Sequence, residues 1–265
     1  MDPRFEEAER IERDAVRDMY AACDAPLGLE ATDVGGATAF TASGIPGILI
    51  NRALGLGVFA PACRADVEAV VAHFAARGVA RYLVHLHPGA HPPRLRDWLG
   101  ELGLRPFRRA WAKFAREGGA VADAETSLRI DEIGADRAAE FARLACDNYG
   151  LPPPAEALMR PLAGRPRWHV YLSSDGDRPA GVAAMFVDGE VAWFGYGATD
   201  PIYRGRGSQR ALLARRLRDA LALGARRFYV ETGESVPGEP QSSYHNILRA
   251  GFERIYVRDN VWPAS

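Results

Sequence analysis

Two distant stretches of this chain, LGLGVFAP (Leu54 to Pro61) and FGYGATDP (Phe194 to Pro201), carry two glycines and a proline at matching positions, and each precedes a helical run that ends at a glycine, Gly78 or Gly224. The correspondence continues downstream. ARYLVHL (Ala80 to Leu86) answers RRFYVET (Arg226 to Thr232) as a strand, and ELGLRPFRRAWAKF (Glu101 to Phe114) answers RAGFERIYVRDNVW (Arg249 to Trp262) as a helix stop followed by a last strand. Glycine stops and β-branched strands recur widely in alternating chains, but an ordered series of matches indicates an internal repeat. REGGAVADAETS (Arg116 to Ser127), rich in small residues and without apolar periodicity, reads as the linker between a first half at 1–120 and a second at 126–265. A chain of 265 residues suits such a two-lobed arrangement.

In the second half the pattern predicts strands at 128–132, 168–173, 180–187, 191–198, 227–232 and 253–257, with helices at 136–148, 155–162, 208–223 and 243–250. SSDGDRP and VDGE supply the turn chemistry of antiparallel hairpins. The strand-helix-strand passage after them implies one right-handed crossover and a parallel pair. Each lobe is therefore expected to be α/β (α+β), a mixed and mostly antiparallel sheet flanked by helices.

The halves differ most at one loop. Pro61 to Gly78 spans 17 residues and Pro201 to Gly224 spans 23, so the first half lacks six residues where the second has RGRGSQ (Arg204 to Gln209). A phosphate site needs converging backbone N–H groups, glycines that admit the ligand and the positive end of a helix dipole. Gly205 and Gly207 offer the approach, and Leu212, Leu213, Leu217, Ala220 and Leu221 recur at the spacing of a buried helix face. Arg204, Arg206 and Arg210 add charge, whereas Arg215, Arg216 and Arg218 read as a solvated helix side. A P-loop is excluded because Ser208 and Gln209 follow the last glycine where Lys would stand, and a dinucleotide fingerprint because Arg210 replaces its third glycine.

The loop, with the strand ending in ATDP before it, the apolar helix after it and the helix-to-GF turn at Gly251 and Phe252, resembles the acetyl-CoA pyrophosphate loop of the GCN5-related N-acetyltransferases. The resemblance spans the second half, and the first half resembles a degenerate copy, a scaffold and pocket wall. It implies two acyl-CoA N-acyltransferase-like lobes related by duplication, acetyl-CoA as co-substrate, and transfer of acetyl to a primary amine. It also implies that Gly205, Arg206, Gly207, Ser208, Gln209 and Arg210, with Arg204, hold the pyrophosphate, and that Gly197, Ala198 and Thr199 bind the pantetheine arm as an added strand. Gln209 stands where the family pattern has Gly or Ala, which changes crowding while leaving its N–H available. Gly195 and Gly197 fit a close ligand approach and equally fit a twist shared with Gly55 and Gly57.

Transfer from a thioester to an amine needs a neutral amine, a polarised carbonyl and a proton for the departing thiolate. Glu231, ending the strand RRFYVE, is the candidate base, with a solvated strand-end carboxylate as the alternative. The tyrosine that the family often carries as acid falls at Ile247 when counted back from GF, so Tyr244, one helical turn earlier, is the candidate acid. Asn246, at a helix-interior position, either bonds backbone of the neighbouring strand or touches the cofactor, and the structural reading is preferred. NYGLPPPAEALM (Asn148 to Met159), Trp193 and Tyr196 are expected to line the acceptor pocket.

His85, His87 and His91 lack a carboxylate or cysteine to complete a metal set, and Cys23, Cys63 and Cys146 are too far apart for a Cys-x-x-Cys site, so no metal is expected. A net charge of −1 argues against nucleic acid as the partner, and no apolar run is long enough to cross a membrane. The charged N-terminal stretch lacks the apolar segment of a signal peptide, which implies a cytoplasmic protein acting on a small-molecule amine or peptide. A homodimer is compatible with the sequence. The competing reading is a non-catalytic acyl-CoA-binding regulatory protein.

Overall fold

The computed structural model describes residues 2–239 and 241–264, which divide into two compact units: one runs to Ala112 and resumes at Ile255, and the other is Lys113–Arg254. This division departs from the expected halves at both ends. Two segments read as terminal strands change membership. Residues from Lys113 onward in β6 (Trp111–Glu117) join the second unit, where β6 neighbours β11 (Arg227–Gly233), while most of β12 (Glu253–Pro263) belongs to the first. Strand pairing decides this: the buried run from Ala112 to Ala115 needs a sheet neighbour, and β12 finds one in β4 (Leu83–Leu86), pairing Val261 with Val84.

The first unit opens with α1 (Pro3–Ala21), whose N-terminus is capped by the Asp2 side chain accepting from Arg4 N–H. Its sheet runs β1 (Leu29–Val34), β2 (Ala37–Ala42), β3 (Arg52–Leu54), β4, β12, with β5 (Leu104–Pro106) on β12. Only β3 and β4 pair in parallel, among the pairings resolved here, across the crossover helix α2 (Arg64–Ala76). Phe74, Val67, Val70, Tyr82, Val84, Val261 and Leu99, the last on α3 (Leu95–Glu101), form its core. A buried ion network ties its first helix to its last strand: Arg258 donates to both oxygens of Glu9 at 2.9 Å and to Glu12 at 2.7 and 3.2 Å.

The second unit repeats this plan. Its sheet order is β7 (Arg129–Ile133), β8 (Trp168–Asp175), β9 (Arg178–Asp188), β10 (Val191–Thr199), β11, β6. β7 to β10 are antiparallel, and β10 and β11 are parallel across α6 (Ser208–Ala222). Glycines at Gly176 and Gly189, both with φ near +58°, close the two predicted hairpins. The helices α4 (Ala138–Tyr149) and α6 pack on the sheet, and α7 (Ser242–Arg249) on α6 and β11.

Two elements differ from expectation. The helix expected at 155–162 shrinks to α5 (Glu156–Met159) between 3-10 turns at Pro153–Ala155 and Arg160–Leu162, because prolines at both ends remove donors. β12 runs on to Pro263 instead of stopping at 257. Among the described residues no helix is long and apolar enough to cross a membrane.

Candidate active site

β10 and β11 begin in register, Val191 opposite Arg227 through Phe194 opposite Val230, and then stop pairing although β10 continues to Thr199 and β11 to Gly233. The cause lies in β10. Between Gly195 and Ala198 it spends three steps where β9 spends two, from Ala184 to Val182, which is a β-bulge. Tyr196, within the bulge, has φ of +51°, an uncommon value for a bulky residue. Gly195 is required beside it: a Cβ there would stand 2.3 Å from the Trp193 ring, which folds back over the strand. Trp193 and Tyr196 then meet edge to face at 5.7 Å, and Trp168 packs against both.

Arg216, Tyr149 and Glu231 come together at this gap. Arg216 of α6, expected on a solvated face, is instead 2 % exposed. It donates to Ala184 C=O at 3.0 Å, Gly195 C=O at 3.4 Å and Leu212 C=O at 3.2 Å, and its guanidinium lies 4.8 Å from the Phe194 ring centroid. The two strand carbonyls are those facing the bulge, so the arginine satisfies acceptors that the broken ladder releases. Burial lowers its pKa to about 10.

Tyr149, at the end of α4, donates its hydroxyl to Gly197 C=O at 3.1 Å. It is 37 % exposed, yet desolvation dominates its titration and raises it to about 12, with Arg216 opposing and Glu231 adding. Glu231, just past the last residue of β11 that pairs with β10, forms an ion pair with the wholly buried Lys113 of β6, Nζ to Oε2 at 2.8 Å. The expected acid Tyr244 is half-buried on α7, its ring edge-on to Phe114 of β6 at 5.0 Å, and its hydroxyl bonds to none of the described residues.

The loop expected to bind phosphate follows directly. After a 3-10 turn at Pro201–Tyr203, Gly205 and Gly207 take φ of +82°, and α6 starts with Gly207 as an N-cap that has no side-chain acceptor. The first helical bond is Ala211 N–H to Gly207 C=O, so the N–H groups of Ser208, Gln209 and Arg210 have no acceptor among the described residues. A Cβ on Gly207 would stand 2.3 Å from Glu125 C=O, so backbone closes one side of the loop, whereas nothing lies within 4 Å of one on Gly205. Thr126 fastens the loop by donating to Arg206 C=O at 2.7 Å. Ser208 and Ser173 hydroxyls, 2.7 Å apart and buried, anchor the first turn to β8, with Thr199 at 3.3 Å.

The arginines divide. Arg206 is committed to Asp175 at 2.7 and 3.1 Å and to Ser127 at 2.9 Å, and it lies over Tyr203. Arg204 and Arg210 are exposed and pair with none of the described residues. Arg210 lines a recess with Arg116, Asn246 and Arg249. The Gln209 side chain bridges to α7, donating to Ser243 at 3.0 Å and accepting from Asn246 at 2.8 Å, which leaves Asn246 a structural residue bonded to a side chain of α6.

The corresponding place in the first unit is closed by its own chain. His91 N–H donates to Gly57 C=O at 2.8 Å and Ala62 N–H to His91 C=O at 3.0 Å, stitching together the loops that leave β3 and β4. Phe59 fills the space beside Gly55. Cys63 N–H at the start of α2 is taken by the Asp66 carboxylate at 2.7 Å. The histidines of this unit have separate partners: His85 Nδ1 donates to Asn260 at 2.6 Å, and His87 Nδ1 accepts from Gly89 N–H at 2.9 Å while its ring meets Tyr256 at 4.4 Å. Burial, then Arg258 and Arg52, hold His85 well below the usual histidine range. Among the described residues no group of three His, Cys, Asp or Glu is placed to hold a metal ion.

A family model described as an acetyltransferase (GNAT) domain matches residues 103–236, half of the chain. The chain belongs to the GNAT acetyltransferase family. Its fold is shared by a GCN5-related N-acetyltransferase from Kribbella flavida (TM-score 0.68, 18 % identity, 97 % of this chain and 96 % of that one). It is shared also by one from Sphaerobacter thermophilus (0.53, 16 %, 86 % and 80 %). A tandem GNAT protein from the clavulanic acid biosynthesis pathway is similar over nearly the full length of both chains (0.58, 14 %, 98 % and 96 %). No curated protein matches the chain. GNAT architecture thus occurs here twice, as a closed unit and as one with parted strands.

Proposed function

We propose that the second unit is an N-acetyltransferase that moves the acetyl group of acetyl-CoA to a primary amine of a small molecule or peptide. The observation that carries this reading is the parting of β10 from β11 directly before a glycine loop whose helix N-terminus is uncapped. Free N–H groups at Ser208 to Arg210, with Gly205 open to approach and Arg204 and Arg210 uncommitted, suit a pyrophosphate. Gly197, Ala198 and Thr199 pair with no residue of β11, and that open edge suits an extended amide-bearing arm laid along it. In the reaction the amine nitrogen bonds to the thioester carbonyl carbon, the C–S bond breaks, and the thiolate leaves with a proton. Glu231 takes the proton from the amine, through water, and Tyr244 supplies one to the thiolate. Lys113 holds the Glu231 carboxylate in place at 2.8 Å. Trp193, Tyr196 and the loop carrying Tyr149 form the acceptor wall.

The Lys113 pair also supports a second reading, a protein that binds acyl-CoA without turning it over, because an ion-paired carboxylate is a weaker base. Thiol release from acetyl-CoA across a panel of amines and peptides separates the two. Acetyl transfer to at least one amine, lost in Glu231→Gln, is expected. A melting shift with CoA and no thiol release for any acceptor establishes the binder, and the absence of any shift overturns both.

A further inference from the structure

Arg216 is a buried cation with no carboxylate partner among the described residues. Its acceptors are three neutral carbonyls, and dipoles of this kind moderate a full charge without cancelling it. The other charges near the gap do not help: Glu231 is matched by Lys113, so the cluster keeps a net positive charge. One guanidinium nitrogen is also uncommitted. Nη1 and Nε make all the hydrogen bonds, whereas Nη2 donates to none of the described residues and lies 3.7 Å from where a Cβ on Gly197 would stand. Two N–H groups therefore face the bulge beside the open strand.

The depth of this position is informative. Pairing of β10 with β11 ends at Phe194, and Arg216 is bonded to the carbonyl of the next residue, Gly195. It stands at the apex of the gap. A donor with its pyrophosphate at 205–210 and its arm along Thr199 to Gly197 directs the acyl end toward that apex. We propose that Arg216 makes the apex a carboxylate site, selecting CoA thioesters whose acyl group itself ends in a carboxylate, of which malonyl and succinyl are short examples. A permanently charged guanidinium with a free Nη2 in a desolvated site is well matched to one oxygen of a carboxylate. This inference rests on the acyl-CoA reading above and adds to acetyl-CoA a class of donors that the site should prefer.

Calorimetric titration of the whole protein with malonyl-CoA and with isovaleryl-CoA tests it, because the two acyl groups share a branched shape and differ in charge. Malonyl-CoA is expected to bind at least about tenfold more tightly. Arg216→Met should collapse that ratio toward one, and Arg216→Lys should keep part of it; the lysine variant guards against a methionine variant that fails to fold. Equal affinities in the unaltered protein, or a ratio that survives in Arg216→Met, overturn the proposal. So does a preference confined to acceptors, with amino acids favoured over their decarboxylated amines while the thioester pair binds alike. Free CoA serves as the control: if it binds and the pair does not differ, only the donor assignment fails, and if it does not bind, the acyl-CoA reading fails.

Discussion

Lys113 Nζ lies 2.8 Å from Glu231 Oε2, and the lysine is wholly buried while the carboxylate keeps 14 % of its side chain exposed. The asymmetry sets the order of two mutational effects. Breaking a buried pair costs about 3–5 kcal/mol because a charge is left unmatched. Glu231→Gln strands the lysine inside the protein and should approach that range, whereas Lys113→Met leaves a carboxylate that reaches water and should cost about half as much. Urea denaturation measures both, and equal losses below about 1 kcal/mol would show the pair to be inconsequential.

Gly205 and Gly207 share a φ of +82° but differ in surroundings. Gly205→Ala carries only the left-handed strain, about 1 kcal/mol, and pushes a methyl group into the space offered to phosphate. It should weaken CoA binding about tenfold with little loss of stability. Gly207→Ala meets Glu125 C=O and should lower the melting temperature markedly more. Calorimetry and thermal melts on the two variants distinguish a ligand-facing glycine from a packing one.

Arg206 is held by Asp175 in an exposed pair that adds little to stability, whereas Arg210 is uncommitted. Arg210→Ala should weaken CoA about fivefold and flatten the salt dependence of binding, as loss of an exposed cation does. Arg206→Ala should change affinity by less than half as much. Titrations at two ionic strengths report both, and a larger effect at Arg206 would mean that the Asp175 clamp opens.

Burial raises the Cys146 thiol to about 12. An acid whose pKa rises on folding keeps its proton longer in the folded state, so its contribution to stability is intact below about pH 9 and is lost as pH climbs from there toward 12. At pH 8 the group is a buried thiol and therefore inert. Iodoacetamide should label exposed Cys63 first and half-buried Cys23 more slowly, with Cys146 reacting only in urea. Intact mass measures this directly, and a third label on the folded protein would contradict the burial.

Most of the second unit was legible in the sequence because its signals are local. Turn glycines at Gly176 and Gly189, the apolar spacing of α6 and the arginine-glycine loop each act within a few residues. Strand exchange was not legible, since β12 pairs with a strand about 175 residues earlier and nothing in ERIYVRDNVW records which sheet it joins. Arg216 was missed for a related reason: the carbonyls that hold it are released by a bulge in another element. A clue was nevertheless present. Its helical neighbours Leu212, Leu213 and Ala220 all belong to the apolar face, whereas Arg218 is exposed. Tyr149 lay inside a loop assigned to the acceptor pocket, but its bond to Gly197 depends on the distance between α4 and β10, which no periodicity encodes.

The bonds from Arg258 to Glu9 and Glu12 carry a consequence for synthesis. Glu9 and Glu12 leave the ribosome 249 and 246 residues before Arg258, with the entire Lys113–Arg254 unit between them. Until then α1 has two acids to bury and no cation from β12 to bury them with. The unit that holds α1 is thus the later to mature, and removing β12 would cost that unit its stability before it touched the other.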